Sequence, residues 1–112
     1  MTSPKKIPSP LIYRIKLHKK VISEDSHQLD EKTKEKIKKK CRELLSTDPE
    51  NVGEPLQFEL RNYRKLKIFN DYRIVYRVDK NEVSVFILAV GIRRGSEVYE
   101  EAIKRLQNKA TG

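Results

Sequence analysis

The sequence predicts an α+β domain in which an antiparallel sheet carries a helical pair on one face and is followed by a C-terminal helix. Three observations support this prediction. Apolar residues alternate near the start, helical periodicity extends from His18 to Leu45, and alternating segments separated by Asn- and Asp-containing turns fill most of the second half. The resulting order, β-α-α-β-β-β-β-α, is that of a sheet with helices packed against it.

The first strand is predicted over Leu11–Leu17, because its apolar residues occupy every second position. These residues are Leu11, Tyr13, Ile15 and Leu17. Residues 1–10 contain three prolines and two lysines, and we interpret them as a flexible basic tail. The remaining residues, 11–112, are predicted to form one domain.

Two helices are predicted after this strand. The first spans His18–Leu29, with Val21, Ile22 and Leu29 turned inward. The second begins after Asp30, a suitable N-cap, and ends before the Asp48-Pro49 step. Its inward residues recur at helical spacing and are Ile37, Cys41, Leu44 and Leu45.

Four more strands and a closing helix complete the prediction. The helix is expected over Ser96–Gln107, with Ser96 as N-cap and Tyr99, Ile103 and Leu106 on one side. One strand, Val83–Val90, is apolar on both faces and is therefore expected at the centre of the sheet. The other three are predicted over Leu56–Leu60, Tyr63–Ile68 and Tyr72–Val78.

The composition narrows the class of protein. Lys and Arg total 25 against 16 acidic residues, a net charge of +9 that is expected of a protein that meets a polyanion. One cysteine, Cys41, excludes an internal disulfide and a thiolate-rich metal site. The apolar runs are too short for a membrane-spanning helix, and no secretory signal is recognised, so a cytoplasmic location is expected. No metal-ligand spacing or phosphate-binding glycine loop is found, and no metal or cofactor is expected.

The segment Tyr63–Arg77 is predicted to be a hairpin with two competing registers. A two-residue turn at Asn70-Asp71 would mix charged and apolar residues on both faces. A three-residue loop, Phe69-Asn70-Asp71, pairs Lys67 with Arg73 and separates the two residue types, as burial demands. We therefore predict the three-residue loop. It turns one set of residues towards the helices, namely Leu66, Ile68, Tyr72, Ile74, Tyr76 and Val78.

The opposite side of this hairpin is called the basic face, and its residues are Lys65, Lys67, Arg73 and Arg77. Like charges directly opposed on a sheet destabilise it by a few tenths to about 1 kcal/mol, so the Lys67–Arg73 pair needs an explanation. A bound phosphate backbone would give both cations a partner. The alternative is that these are solvated charges whose stems cover Val75.

The end of the last predicted strand adds two arginines. Gly91 at a strand end often marks a bulge, and a bulge there could bring Arg93 to the basic face. Arg94 would then point elsewhere, as a surface or partner contact.

At these residues the sequence resembles the RelE/ParE superfamily of toxins, and specifically its RelE branch, from about Leu11 to Leu106. The similar segments are Arg64–Lys67, Asp71–Tyr76, Val90–Arg93, Ser96–Tyr99 and Ala102–Leu106. The resemblance implies a toxin that cuts messenger RNA in the ribosomal A site and is held inactive by a cognate RelB-like antitoxin. It implies catalytic roles for Lys65, Lys67, Arg73, Arg93 and Tyr99, with Arg64, Arg77 and Arg94 expected to contact RNA.

The sequence departs from the RelE pattern at three places. The loop after Lys67 differs in length, Gly95 replaces a residue that is often basic, and Ile92 replaces a residue that is commonly polar. We expect these departures to affect substrate binding and potency more than the cleavage reaction itself.

RNA cleavage by the neighbouring 2′-hydroxyl needs a base, an acid and cations around the phosphate. His18 and His27 lie in the first helical region, and we interpret them as surface residues. A lysine can act as the base when nearby positive charges favour its neutral form, which suggests Lys65 or Lys67. Arg73 and Arg93 would hold the phosphate. Tyr99 would stack on a base or orient the nucleotide, although it could equally anchor the last helix to the core.

Two other functions remain open at this point. The protein could be a ParE-like toxin that inhibits DNA gyrase by binding without catalysis, or a plain RNA-binding module. The antitoxin could cover the basic face or displace the helix Ser96–Gln107. The toxin alone is expected to be a monomer.

Overall fold

The computed structural model describes residues 12–92 and 97–109. The predicted tail, Leu11 and the N-cap Ser96 lie outside the described residues. The strands are β1 (Arg14–Leu17), β2 (Glu54–Pro55), β3 (Arg64–Ile68), β4 (Tyr72–Asp79) and β5 (Ser84–Ile92). The α-helices are α1 (Lys19–Ser23), α2 (Glu31–Leu45), α3 (Pro49–Val52) and α4 (Glu97–Lys109). Within the described ranges, no helix combines the length and apolarity that a membrane crossing requires.

The five strands form one sheet in the order β1-β5-β4-β3-β2. The prediction of an α+β fold is confirmed, and β5 lies inside the sheet between β1 and β4. The neighbouring strands are antiparallel except for β1 and β5, which are parallel, so the expected all-antiparallel sheet is wrong for this pair. The chain between β1 and β5, which comprises the helices α1 to α3 and the strands β2 to β4, makes the long connection that a parallel pair requires.

The first core layer lies between the sheet and α1 and α2. Ile37, Cys41 and Leu45 of α2 are buried against sheet residues such as Ile74 and Tyr76, as the helical spacing predicted. Asp30 caps α2, because its Oδ1 accepts a hydrogen bond from the amide of Thr33 at 2.9 Å. Burial raises the pKa of the Cys41 thiol to about 12, so this thiol is protonated at neutral pH and is no nucleophile.

The second core layer lies on the other face of the sheet, beneath α4. Val98 and Ala102 of α4 pack on Val75, Leu88 and Ala89 of the two central strands. Val75 is fully buried there, so it is covered by a helix and not by the stems of the surrounding basic residues. The basic face therefore shares its side of the sheet with α4.

The predicted strand Leu56–Leu60 is wrong. The strand that pairs with β3 is Glu54–Pro55, and Phe58–Leu60 forms a 3₁₀ turn instead. Phe58 has a left-handed φ of 57° and an exposed side chain, whereas Leu60 is buried. Alternation of apolar and polar residues therefore does not indicate a strand here, because Leu56 and Leu60 pack in the second core layer while Phe58 between them faces solvent.

The predicted helix His18–Leu29 is also divided. The helix α1 ends at Ser23, and Asp25–Gln28 forms a 3₁₀ turn. A single helical turn offers the core only one inward position, which Val21 occupies, so Ile22 is exposed and its predicted burial is wrong. Leu17 is exposed where β1 ends, although it belongs to the alternating apolar residues of the predicted strand.

Asp25 and Arg105 form a buried ion pair that we call the edge clamp. Two hydrogen bonds join the side chains, from Nη1 of Arg105 to Oδ2 of Asp25 at 2.8 Å and from Nη2 to Oδ1 at 2.7 Å. The pairing of β1 with β5 ends at Ile87. Beyond it, the amide of Val90 donates to Asp25 Oδ2, and Arg105 Nη1 donates to the carbonyl of Leu88. The clamp thus satisfies backbone groups that a neighbouring strand would otherwise pair.

The edge clamp predicts strong coupling between its two members. Asp25→Ala and Arg105→Met should each lower the free energy of unfolding by about 3–5 kcal/mol, because each removes one member of a buried, doubly hydrogen-bonded charge pair. The double variant should lose much less than the sum of the two losses. Urea denaturation followed by circular dichroism measures all three values, with Glu101→Gln as a control on a partly exposed partner of Arg105. Additive losses would contradict the role of the clamp.

His18 predicts a pH dependence of stability. Its Nδ1 caps α1 by accepting a hydrogen bond from the amide of Lys20 at 3.0 Å, which needs the neutral ring. Burial, and then the positive charge of Arg105, lower the pKa of His18 below its ordinary value of 6.5. The unfolded chain therefore binds the proton first, and stability should fall as the pH drops below about 6.5. His18→Asn keeps a side chain that can cap α1 and should weaken this pH dependence. The measurement is the urea midpoint of wild type and variant between pH 7.5 and 5. An equal change of the midpoint with pH in both proteins would contradict the assignment.

Candidate nucleic-acid interface

The β3–β4 hairpin has the predicted three-residue loop. Ile68 pairs with Tyr72 and Lys67 pairs with Arg73. The apolar members of the hairpin face the helical pair, with Ile68, Ile74 and Tyr76 almost fully buried. The alternative two-residue turn would have placed Ile68 on the opposite face from Ile74 and Tyr76, so burial of the first core layer selects the register.

The four members of the basic face have different partners. The ammonium of Lys65 lies 3.6 Å from Glu54 Oε1 on β2. The guanidinium of Arg77 lies over the rings of Tyr63 and Phe86, at 5.9 and 5.6 Å from their centroids. Arg77 is thus held in place by two aromatic side chains, whereas Lys65 is already paired with an acid.

Lys67 and Arg73 are the opposed pair of this face, with Lys67 exposed and Arg73 half-buried. Arg73 Nη1 donates to the carbonyl of Asn70 at 3.1 Å, which holds the guanidinium at the hairpin loop. Lys67 is exposed, and within residues 12–92 and 97–109 no carboxylate lies within ion-pair distance of its ammonium. The two opposed cations therefore form the part of the basic face that is best suited to take an anion.

The bulge in β5 lies at Leu88 and not at Gly91. Tyr76 pairs with Ile87 and Val75 with Ala89, so Leu88 is the extra residue. From there on the odd-numbered residues of β5 share the side of α4, and Gly91 lies directly opposite Arg73. Arg93 and Arg94 lie outside the described residues.

The first turn of α4 approaches the sheet closely at Gly91. A Cβ at this position would lie 2.6 Å from Val98 Cβ and 2.8 Å from Val98 Cγ2. Only glycine leaves room for the first turn of α4 here. Lys67, Arg73 and Gly91 thus form a row across three strands, about 10 Å long at the usual strand spacing, with α4 at its end.

Tyr99 lies in this first turn of α4 and is half-buried against the second core layer. It therefore anchors the helix and also keeps part of its ring accessible. The structure brings together Lys67, Arg73 and the start of α4, with Lys65 and Arg77 farther along the same face.

Arg64 does not belong to the basic face. It lies opposite Tyr76 on the side of the helical pair, and its Nη2 donates to the carbonyl of Gly53 at 2.7 Å. The hydroxyl of Tyr76 donates to the carbonyl of Pro49 at 2.6 Å, and burial raises the pKa of Tyr76. Arg64 thus helps to fix the segment after α3, and its expected contact with RNA stays a prediction.

The described part of the chain gives little support to catalysis by histidine or by a bound metal ion. His18 serves as the cap of α1, and His27 is exposed in the 3₁₀ turn. Within the described residues, no three His, Cys, Asp or Glu side chains are grouped closely enough to hold a metal ion. The sequence did not single out Asp25, Arg105 or the contact between Gly91 and Val98, since single residues far apart in sequence carry no periodic signal.

Comparisons with known proteins identify the relatives of this fold. A family model described as the ParE toxin of type II toxin–antitoxin systems matches residues 12–97. The mRNA interferase toxin RelE of Escherichia coli K12 is 37% identical over 79 residues, which cover 70% of this chain and 82% of that protein. A free E. coli RelE double mutant superposes with a TM-score of 0.69 at 30% identity, covering 86% of this chain and 99% of that one. The toxin–antitoxin complex RelBE2 of Mycobacterium tuberculosis gives a TM-score of 0.69 at 27% identity, covering 76% and 95%.

Gly91→Ala tests whether the close contact between Gly91 of β5 and Val98 of α4 positions the candidate nucleic-acid interface. The added methyl group should displace the first turn of α4 and lower the free energy of unfolding by about 1–3 kcal/mol. It should also reduce any activity that needs Tyr99 beside Arg73. Gly91→Ala/Val98→Ala restores the space and should recover part of both losses in denaturation and activity assays. A Gly91→Ala variant with wild-type stability and activity would show that the contact is unimportant.

Proposed function

The chain belongs to the ParE toxin family of type II toxin–antitoxin systems, and we propose that it is an endoribonuclease that cleaves messenger RNA in the ribosomal A site. The similarity to RelE, whose name is that of an mRNA interferase, supports this activity over inhibition of DNA gyrase. The observation that carries the proposal is the pairing of Lys67 directly opposite Arg73, since opposed cations destabilise the free fold and gain a partner when a phosphate binds.

The proposed reaction begins with attack of a ribose 2′-oxygen on the adjacent phosphorus. The new O2′–P bond forms as the bond from phosphorus to the departing 5′-oxygen breaks. The products are a 2′,3′-cyclic phosphate and a 5′-hydroxyl, so one proton leaves the 2′-hydroxyl and one reaches the 5′-oxygen. Because side chains supply the base, the acid and the cations, we propose that the reaction needs no metal ion.

Lys67 is the proposed general base. Lys65 is paired with Glu54, whereas Lys67 has no acidic partner among the described residues and lies beside the phosphate-binding Arg73. Lys65 and Arg77 extend the cationic track for the RNA backbone.

Arg73 is proposed to hold the scissile phosphate together with Arg93, because the planar guanidinium can bind two phosphate oxygens at once. The role of Arg93 is proposed from the similarity of the segment Val90–Arg93 to the RelE toxins. One of the two arginines assists protonation of the departing 5′-oxygen. Tyr99 stacks on or orients a nucleotide, and Arg94 is a surface or partner contact.

A RelB-like antitoxin is the proposed partner. Two of the similar structures, RelBE2 of M. tuberculosis and E. coli RelE with a RelBc peptide, are complexes with antitoxin. The remaining proposals are that the ribosome and its messenger supply the substrate, that the toxin acts in the cytoplasm, and that it is monomeric when free.

Lys67→Ala and Arg73→Ala separate catalysis from stability. Removing the base or the phosphate ligand should slow cleavage by about 100-fold or more. Lys67→Ala should at the same time stabilise the isolated fold by a few tenths to about 1 kcal/mol, because it removes the repulsion with Arg73. Mapping of messenger 5′ ends on translating ribosomes measures cleavage, and urea denaturation measures stability. Lys39→Ala, which removes the same charge from the exposed side of α2, is the matched control.

Two results would overturn this assignment. If Lys67→Ala unfolds the protein, the Lys67–Arg73 pair has a structural role instead. If wild-type toxin leaves messengers intact while Arg73→Ala remains fully toxic, the ParE-like mode of inhibition by binding is the better explanation.

A further inference from the structure

Phe69 is the aromatic residue at the tip of the β3–β4 hairpin, and neither core layer includes it. Half of its surface is exposed, and it is absent from both groups of packed hydrophobic residues. Its neighbour Ile68 is 2% exposed, so the core closes one residue before it. Burial therefore does not explain why an aromatic residue is at this position.

The backbone at Phe69 adds a second unusual feature. Phe69 and Asn70 both have left-handed φ angles, 55° and 64°. Glycine, asparagine and aspartate tolerate this conformation in tight hairpin turns, whereas a bulky side chain is rare there. The fold would accept asparagine at position 69 more readily than phenylalanine, so the aromatic ring is retained against the local conformational preference.

The position of this ring relative to the basic face indicates what it could meet. Arg73 donates to the carbonyl of Asn70, so its guanidinium lies at the same loop that presents Phe69. Lys67 precedes Phe69 by two residues and pairs with Arg73. A nucleic-acid strand whose phosphate binds Lys67 and Arg73 would therefore carry its neighbouring base past the hairpin tip.

We propose that Phe69 is a base-stacking residue that holds an unpaired RNA base next to the phosphate bound by Lys67 and Arg73. An aromatic face stacks on any base, so Phe69 adds grip without base specificity. The inference rests on the proposed RNA cleavage and adds to it a contact that the catalytic groups do not supply. The base belongs either to the messenger or to ribosomal RNA, because both are single-stranded near an A-site substrate.

The test exploits the strain at this position. Phe69→Asn should stabilise the free toxin, because asparagine tolerates the left-handed backbone. The same substitution should lower kcat/KM for messenger cleavage on ribosomes by about 5- to 100-fold, the range expected for loss of one stacked base. Phe69→Trp and Phe69→Tyr should keep most of the cleavage.

Phe58 supplies the matched control. It is also an exposed phenylalanine with a left-handed φ, 57°, but it lies before β3, at the other end of that strand from the hairpin tip. Phe58→Asn should therefore stabilise the toxin in the same way and leave cleavage unchanged. Equal cleavage by Phe69→Asn and wild type, or equal losses in both asparagine variants, would overturn the proposal.

Two further measurements identify the stacked base. Photo-crosslinking from 4-thiouridine placed along the A-site codon should reach Phe69 if the base is in the messenger. Chemical probing of ribosomal RNA should show protection that Phe69→Asn abolishes if the base is ribosomal. Loss of antitoxin affinity with intact cleavage would assign Phe69 to a protein interface and refute base stacking.

The design separates this inference from the proposed function. If wild-type toxin cuts messengers and Lys67→Ala does not, the proposed function stands whatever Phe69→Asn does. If wild-type toxin cuts nothing, the proposed function fails. In that case, absence of both the crosslink and the protection would refute Phe69 stacking independently.

Discussion

The edge of β5 that extends past the end of β1 is the constraint on which the rest of the structure depends. β1 accompanies β5 only as far as Ile87, yet β5 continues to Ile92 and carries the residue that faces Arg73. Asp25 and Arg105 bind the backbone of Val90 and Leu88 there, and they bind each other. Because Asp25 belongs to the helical-pair side and Arg105 to α4, the edge clamp joins both core layers to the same stretch of strand.

The consequences of this clamp reach the candidate site. Arg105 fixes α4 along β5, and Val98 then fits against Gly91, so the first turn of α4 is held next to the row of Lys67 and Arg73. Lys67 and Arg73 repel each other, so they cannot hold each other in position before an anion binds. The β3–β4 hairpin and the helix α4, which the edge clamp fixes, hold these side chains in position instead. Both the opposed cations and the strained Phe69 belong to the β3–β4 hairpin.

The sequence predicted those parts of the fold in which burial and periodicity agree. The hairpin register follows from the need to bury Ile68 and Ile74 together, and α2 follows from its cap at Asp30 and the spacing of Ile37 and Cys41. The same patterns failed at Leu56–Leu60, where a turn mimics the alternation of a strand. No local pattern indicates that Asp25 is buried, because its partner lies 80 residues away. The bulge at Leu88 was likewise hidden, since Gly91 offered a plausible but incorrect place for it.

The central claim is that Lys67 and Arg73 bind a phosphate that is attacked by its own ribose, and the chemistry of the cut ends tests it most directly. The measurement uses ribosomes programmed with a messenger in which one A-site ribose is replaced by deoxyribose. We expect the all-ribose messenger to yield a 2′,3′-cyclic phosphate and a 5′-hydroxyl, and the deoxyribose messenger to stay intact at that bond. Cleavage at the deoxyribose, or products that carry a 5′-phosphate, would contradict the account.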